Sequence, residues 1–256
     1  MSHSFTSLEM HKQCPRRYYE NRVIKIHPYK ESPATAWGNA VHSALESYQK
    51  HGTPLPENMR GYSWVCTDVI DQLSPDAVVE IEFSFTAEGK ECARNNWNAK
   101  LWSGKADVID IVDGHCVVVD WKTGGSKYPK VDQLHLMSLF VMLKYPEVQS
   151  VSGLLFFLDD GVVHPADGSA RWTRDDLPTM WAEWMAKVDA VEQNRTMGVW
   201  PPQVNNLCGW CECSSCPHHA PALAKREAKA ARFASEYPMT NDQDTQARGQ
   251  GCSFRK

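Results

Sequence analysis

The stretch Leu101–Gly124, LWSGKADVIDIVDGHCVVVDWKTG, restricts most sharply what this chain can fold into. Asp113-Gly114 is a strong two-residue turn signal between two apolar runs, so the stretch reads as a β-hairpin. Val108, Ile109, Ile111 and Val112 make a buried first strand. Cys116–Val119 is apolar at every position, as expected of a strand covered on both faces at the centre of a sheet. Asp120 then ends the run, where an isolated charge is costly to desolvate. A metal ion or Lys122 would offset that cost. Residues two apart on a strand share a face, so Asp120 and Lys122 project together, either side of Trp121.

Composition sets the bounds around this hairpin. The chain has 256 residues and is 42% hydrophobic, enough to bury a full core. A net charge of -4 excludes a generally basic, histone-like nucleic-acid binder, so any such contact must come from a local patch. The N-terminus lacks an apolar leader segment, so no secretory signal is expected. No apolar run reaches membrane-spanning length, so no membrane helix is expected. The nine cysteines are odd in number, with four clustered near the C-terminus. That pattern favours a reducing, cytoplasmic compartment and metal or cluster binding over disulfides.

Taken in order, the chain predicts a helix, three strands, a helix, a strand and a helix. Ser4–Asn21 reads as a helix with Ser4 or Thr6 as N-cap and an interruption at Pro15. Arg16, Arg17, Tyr18 and Tyr19 follow; they read either as a solvated face with core tyrosines or as phosphate contacts beside stacking aromatics. Ala34–Gln49 has helical spacing of Trp37, Val41, Ala44, Leu45 and Tyr48. His42 and Glu46 share one face of it, and Gly38, one turn earlier, permits close approach of another segment. A short helix is expected within 63–73. Val78–Phe85 alternates as a strand, with Val79, Ile81, Phe83 and Phe85 on one face and Glu80, Glu82 and Ser84 on the other. Glu82 is a possible further acidic contributor. Lys130–Lys144 is an amphipathic helix with Gln133 in its first turn, Ser150–Leu158 a buried strand, and Asp175–Val191 a helix with Trp181, Trp184, Val188 and Val191 on one face. Ala222–Phe233 is a basic helix, and the polar tail beyond Pro238, with Cys252, reads as disordered. The expected organisation is one domain over 1–220, with 221–256 as helix and tail. The fold class is an α/β sandwich on a mixed sheet.

Two carboxylates and an ammonium on a hairpin suit phosphodiester hydrolysis, which needs an activated water, a polarised phosphate and a stabilised leaving oxygen. Asp107 and Asp120 offer the hard oxygens preferred by Mg²⁺ or Mn²⁺. Lys122 suits water positioning or neutralisation of developing charge. The Trp121 carbonyl lies between them. A lone D-x-K triplet is also an ordinary surface ion pair; the case rests on its conjunction with the rest of the chain.

That conjunction resembles the PD-(D/E)XK nuclease superfamily in its RecB-like exonuclease branch, which includes phage and CRISPR-adaptation nucleases. SFTSLEMHKQCPRRYY is similar to the branch's N-terminal signature, GNAVHSALE to its G-x-x-x-H-x-x-x-E helix, SGKAD to its G-x-x-D strand and VVVDWKTG to its D-x-K strand. The resemblance covers most of residues 4 to 217 and implies a restriction-endonuclease-like αβββαβ core. It carries metal binding to His42, Asp107 and Asp120, whose shell the Trp121 carbonyl would complete from its place between Asp120 and Lys122, and catalysis to Lys122 with Asp120, Asp107 and Gln133. The glutamine motif usually has a tyrosine about a turn later, where this chain has Met137 and Ser138. Arg16, Arg17, Tyr18 and Lys127 are the candidate DNA contacts.

Cys208-Gly-Trp-Cys211-Glu-Cys213-Ser-Ser-Cys216 is the second strong signal. The four local thiols suit Zn²⁺, with Cys213 included. The resemblance instead implies a [4Fe–4S] cluster held by Cys14, Cys208, Cys211 and Cys216, clasping the two ends of the domain. The expected function is a metal-dependent DNA exonuclease acting on DNA ends or single strands in recombination, repair or phage DNA processing. No helicase motif is present, so an unwinding or recombination partner is expected on duplexes. An endonuclease or CRISPR-adaptation-like trimming nuclease is an alternative. A non-catalytic DNA- or partner-binding module on the same fold is another.

Overall fold

The apolar strand of the hairpin, β3 (His115–Lys122), lies inside a six-stranded mixed sheet. The structure is a computed structural model that describes residues 1–28 and 30–236. The other strands are β1 (Val78–Phe85), β2 (Trp102–Val112), β4 (Ser150–Phe157), β5 (Val162–His164) and β6 (Arg171–Thr173). Their order is β1-β2-β3-β4-β5, with β6 also paired to β4. β1, β2 and β3 run antiparallel as a meander, and β3 and β4 are parallel. The turn between β2 and β3 takes left-handed backbone at both Asp113 (φ 49°) and Gly114 (φ 76°), the geometry for which an Asp-Gly pair is selected.

The two-sided covering of β3 explains its unbroken apolar run. Cys116 and Val118 enter one core with Phe5, Leu8, Leu136, Phe140 and Trp184. Val119 and Trp121 enter a second core with Val41, Leu45, Val65 and Ile70. The first core is closed by α1 (Phe5–Gln13), α5 (Asp132–Lys144) and α6 (Leu177–Met197), the second by α3 (Pro33–His51) and α4 (Ser63–Asp68). In α1, Ser4 caps the helix and exchanges hydrogen bonds with Ser7. Cys14 ends that helix in extended backbone, and α2 (Pro15–Tyr18) restarts with Pro15 at its first position. α3 is capped by Ser32 and stops at Gly52 in the left-handed region (φ 66°).

β1 departs from simple alternation. Val79 packs in the second core with Val108, whereas Ile81, Phe83 and Phe85 pack in the first. Glu80 between them has φ 57°, and this left-handed residue turns the chain between the two cores. Val112, expected in the core, is half-exposed at the hairpin end.

The chain divides into two compact units, one over Met1–Pro201 and one from Pro202 onward. Within the second unit the expected basic helix forms as α7 (His219–Glu236). The tail beyond Pro238, with Cys252, lies outside the described residues. Among the described residues, no helix is long and apolar enough to cross a membrane.

The crossover from β3 to β4 runs through α5, and Gly153 of β4 sets how closely that helix sits. A Cβ at 153 would lie 2.8 Å from the Cβ of Leu134, next to Gln133. Gly153→Ala must therefore displace α5 and should cost about 1–3 kcal/mol of stability, read as a lowered midpoint in urea unfolding.

Candidate functional site

Asp107 is the meeting point of three elements. The last paired residues of β2 and β3 are Val108 and Val119. Beyond them the ladder opens, and the Trp121 N–H donates to Asp107 Oδ2 at 2.8 Å instead of to a β2 carbonyl. A strand residue's N–H and C=O point to the same side, so the Trp121 carbonyl shares this open edge. The other carboxylate oxygen, Oδ1, lies 3.1 Å from Nδ1 of His42, which arrives on α3. Gly38 gives α3 its place there: a Cβ at that position would lie 3.1 Å from Thr123 Oγ1, just past the end of β3. Burial lowers the His42 pKa, but the hydrogen bond to Asp107 and the charges of Asp107 and Asp120 outweigh it, and the net shift is upward.

Asp120, Lys122 and Gln133 form the second half. Gln133 Nε2 donates to Asp120 Oδ1 at 2.5 Å, and Lys122 Nζ donates to Gln133 Oε1 at 3.1 Å. Gln133 thus ties the two ends of the D-x-K triplet to the first turn of α5. The Lys122 ammonium also lies 2.5 Å from Asp120 Oδ2, yet that buried oxygen takes no hydrogen bond of normal geometry. Desolvation pushes the Asp120 pKa up to about 6, against the opposing pull of Lys122 and with the further push of Asp107. A buried carboxylate oxygen without a full donor set suits an incoming cation. The hard oxygens and imidazole gathered here fit Mg²⁺ or Mn²⁺.

The structure adds one residue to this set. The ligand atoms of His42, Glu80 and Asp107 lie within 4.8 Å of one another. Register places Glu80 opposite Asp107, between the pairs Val79–Val108 and Ile81–Ala106. Glu80 is largely buried and ion-paired with Lys105. Alternation marks Glu80 and Glu82 alike. Only the cross-strand register and the left-handed turn at Glu80 separate them, whereas Glu82 pairs with Arg94.

The candidate DNA contacts fare differently. Tyr18 is fully buried, packed on His11 and Trp200, with its hydroxyl donating to Met1 Sδ at 3.3 Å. It is a core tyrosine and is not available to stack on a base. Arg16 pairs at 2.9 Å with the buried carboxylate of Glu20, one helical turn on. Lys127 is exposed in the loop after β3, 5.4 Å from the Tyr128 ring.

In the second unit, Cys208 opens a short 3₁₀ turn, and the Asn205 N–H approaches its Sγ at 3.3 Å. Backbone turns link Cys211 to Cys208 and Cys216 to Cys213. Arg226 donates to the Gly209 carbonyl at 2.6 Å and lies over the Trp210 ring. Among the described residues, no three of the four local cysteines bring their sulfurs within 4.8 Å of one another.

An antiparallel meander with a parallel fourth strand carries two aspartates, a histidine and a lysine where the ladder opens, an arrangement that suits a nuclease. The chain belongs to the PD-(D/E)XK nuclease superfamily, whose family model matches residues 2–100 and 59–218. Among solved structures, SSO0001 aligns with a TM-score of 0.43 and 18% identity, covering 85% of this chain and 86% of that one. A candidate exonuclease from Eubacterium rectale aligns with a TM-score of 0.45 and 13% identity, over 83% and 86% of the two chains. Comparison with curated proteins gives no match.

The raised carboxyl of Asp120 has a definite sign. The folded chain holds this proton more tightly than the unfolded chain, so the penalty is absent at low pH and grows as pH rises towards about 6. Asp120→Asn should therefore stabilise the metal-free protein by about 1–3 kcal/mol near pH 8 and by almost nothing near pH 4, measured by thermal unfolding. Mn²⁺ binding must displace protons from Asp120 and His42. Its affinity, measured by calorimetry, should climb roughly tenfold or more per unit from about pH 5, keep climbing past pH 6 because the His42 proton is held above its ordinary range, and level off only once His42 has lost it.

Proposed function

We propose that this protein is a metal-dependent DNA exonuclease that hydrolyses phosphodiester bonds at DNA ends or in single strands during recombination, repair or phage DNA processing. The observation that carries this reading is the convergence of His42, Asp107, Asp120, Lys122 and Gln133 at the open end of β3. His42, Asp107, Asp120 and the Trp121 carbonyl would hold the cation, with Glu80 as a further donor. When bound, Mg²⁺ or Mn²⁺ supplies Lewis acidity at the phosphate and makes water a better nucleophile. Asp107 holds the His42 ring and the Trp121 peptide in place, so the donor set is preorganised rather than gathered on binding. Gln133 fixes Lys122 relative to Asp120, leaving the ammonium to orient the attacking water and to balance charge on the phosphoryl oxygens. The cysteine run keeps both of its readings, the [4Fe–4S] cluster that the family resemblance implies through Cys14, Cys208, Cys211 and Cys216, and zinc with Cys213 included. Visible absorbance together with iron and sulfide analysis of protein purified without oxygen tests the first, with stoichiometric zinc as the contrary result.

Lys122→Ala should lower Mn²⁺-dependent degradation of linear DNA by about 100-fold or more while leaving Mn²⁺ binding in place. Retained degradation in that variant would remove lysine from the mechanism. End-labelled linear DNA set against closed circles tests the exonuclease reading, since rapid nicking of circles is the signature of an endonuclease.

A further inference from the structure

The sheet face that carries Asp107 continues away from it as a polar surface. Along the β1–β2 ladder, Glu82 pairs with Lys105 and Ser84 with Ser103. Their neighbours Phe83, Phe85, Trp102 and Ala106 point into the first core. Alternation therefore turns Glu82, Ser84, Ser103 and Lys105 to the other face, where they floor a groove of about 390 Å³. Lys105 is two residues from Asp107 along β2, about 7 Å, so the groove adjoins the site.

The wall of the groove is the loop between β1 and β2, which carries Arg94, Trp97 and Lys100. This loop is held by internal hydrogen bonds: Asn96 N–H to the Ala93 carbonyl, Lys100 N–H to the Asn96 carbonyl and Ala99 N–H to Asn96 Oδ1. The buried Lys100 ammonium donates to the Arg94 carbonyl at 2.5 Å and sits 3.9 Å from the centre of the Trp97 ring. Trp97 nevertheless stays 73% exposed. One ring face is thus propped by a fixed cation while much of the indole stays open to solvent. Hydrophobic burial does not account for a large aromatic held rigid and open.

The groove's cations are set for anions. Lys105 pairs with Glu80 and Arg94 with Glu82, which keeps both side chains directed along the groove. Glu80 is also a member of the His42–Glu80–Asp107 donor set. A divalent cation drawing on Glu80 would loosen its hold on Lys105 and release an ammonium to a phosphate. An indole face, flanking cations and serine hydroxyls recognise an unpaired nucleotide; a paired base has no free face to stack.

We propose that this groove seats a single strand of DNA beside the scissile phosphate, with an unpaired base on Trp97 and backbone phosphates on Lys105 and Arg94. The proposal rests on the nuclease reading and adds to it the strand's path. The test uses the full chain with Lys122→Ala, which binds without cutting, and fluorescence anisotropy of a labelled oligothymidylate of about 12 nucleotides with Mn²⁺ present. Trp97→Ala on that background should weaken binding about 5- to 100-fold, and Trp97→Phe should restore most of it. Lys105→Ala and Arg94→Ala should each flatten the dependence of log affinity on log salt by roughly 0.7. Calorimetric Mn²⁺ binding should be the same in Trp97→Ala as in its parent. Unchanged oligothymidylate affinity in Trp97→Ala, with wild-type protein degrading DNA, overturns the groove alone. A parent that binds no DNA, with a wild type that cleaves none, overturns the nuclease reading beneath it.

Discussion

The Asp107 carboxylate spans a gap in the sheet where the β2–β3 ladder stops, taking the Trp121 N–H on one oxygen and facing His42 with the other. A backbone N–H buried without a partner would cost about 1–3 kcal/mol, so the gap persists only because a side chain fills the missing position. The same substitution exposes the Trp121 carbonyl edge and gives the helix bearing His42 a fixed point on the sheet. Opening a ladder at a buried strand end is thus what turns a structural hairpin into a site.

The remaining members are positioned by packing rather than by their own charge. Asp120 ends an apolar strand where ionisation is disfavoured, and Lys122 and Gln133 only partly offset that cost. Gln133 reaches it because α5 sits close over Gly153. The metal-free site therefore stores unfavourable electrostatics, as expected where a cation supplies the missing charge. Glu80 carries the same logic into the backbone: a left-handed, non-glycine residue directs a carboxylate towards His42 and Asp107 while its neighbours enter different cores.

Much of this was legible in the residues. The hairpin turn, the doubly covered strand, the Ser4 cap and the helix interruption at Pro15 all follow from local chemistry that acts over a few residues. His42, Asp107, Asp120, Lys122 and Gln133 carry motif signals, and the fold brings them together. Tyr18 was not legible. An exposed and a buried tyrosine beside two arginines read alike, and the packing of His11 and Trp200 around it decides the matter. Glu80 and Glu82 were equally indistinct, since a period of two assigns both to one face.

By itself the sequence determined the order of the core elements, the central strand and the identity of the candidate site residues, because periodicity, turn propensity and residue type are local properties. Only the tertiary structure decided which carboxylate of β1 joins the site, where the β2–β3 ladder ends and which aromatics stay open. Those outcomes depend on strand register and on contacts between residues far apart in the chain, such as His42 with Asp107 and Gln133 with Asp120, and no local pattern encodes them.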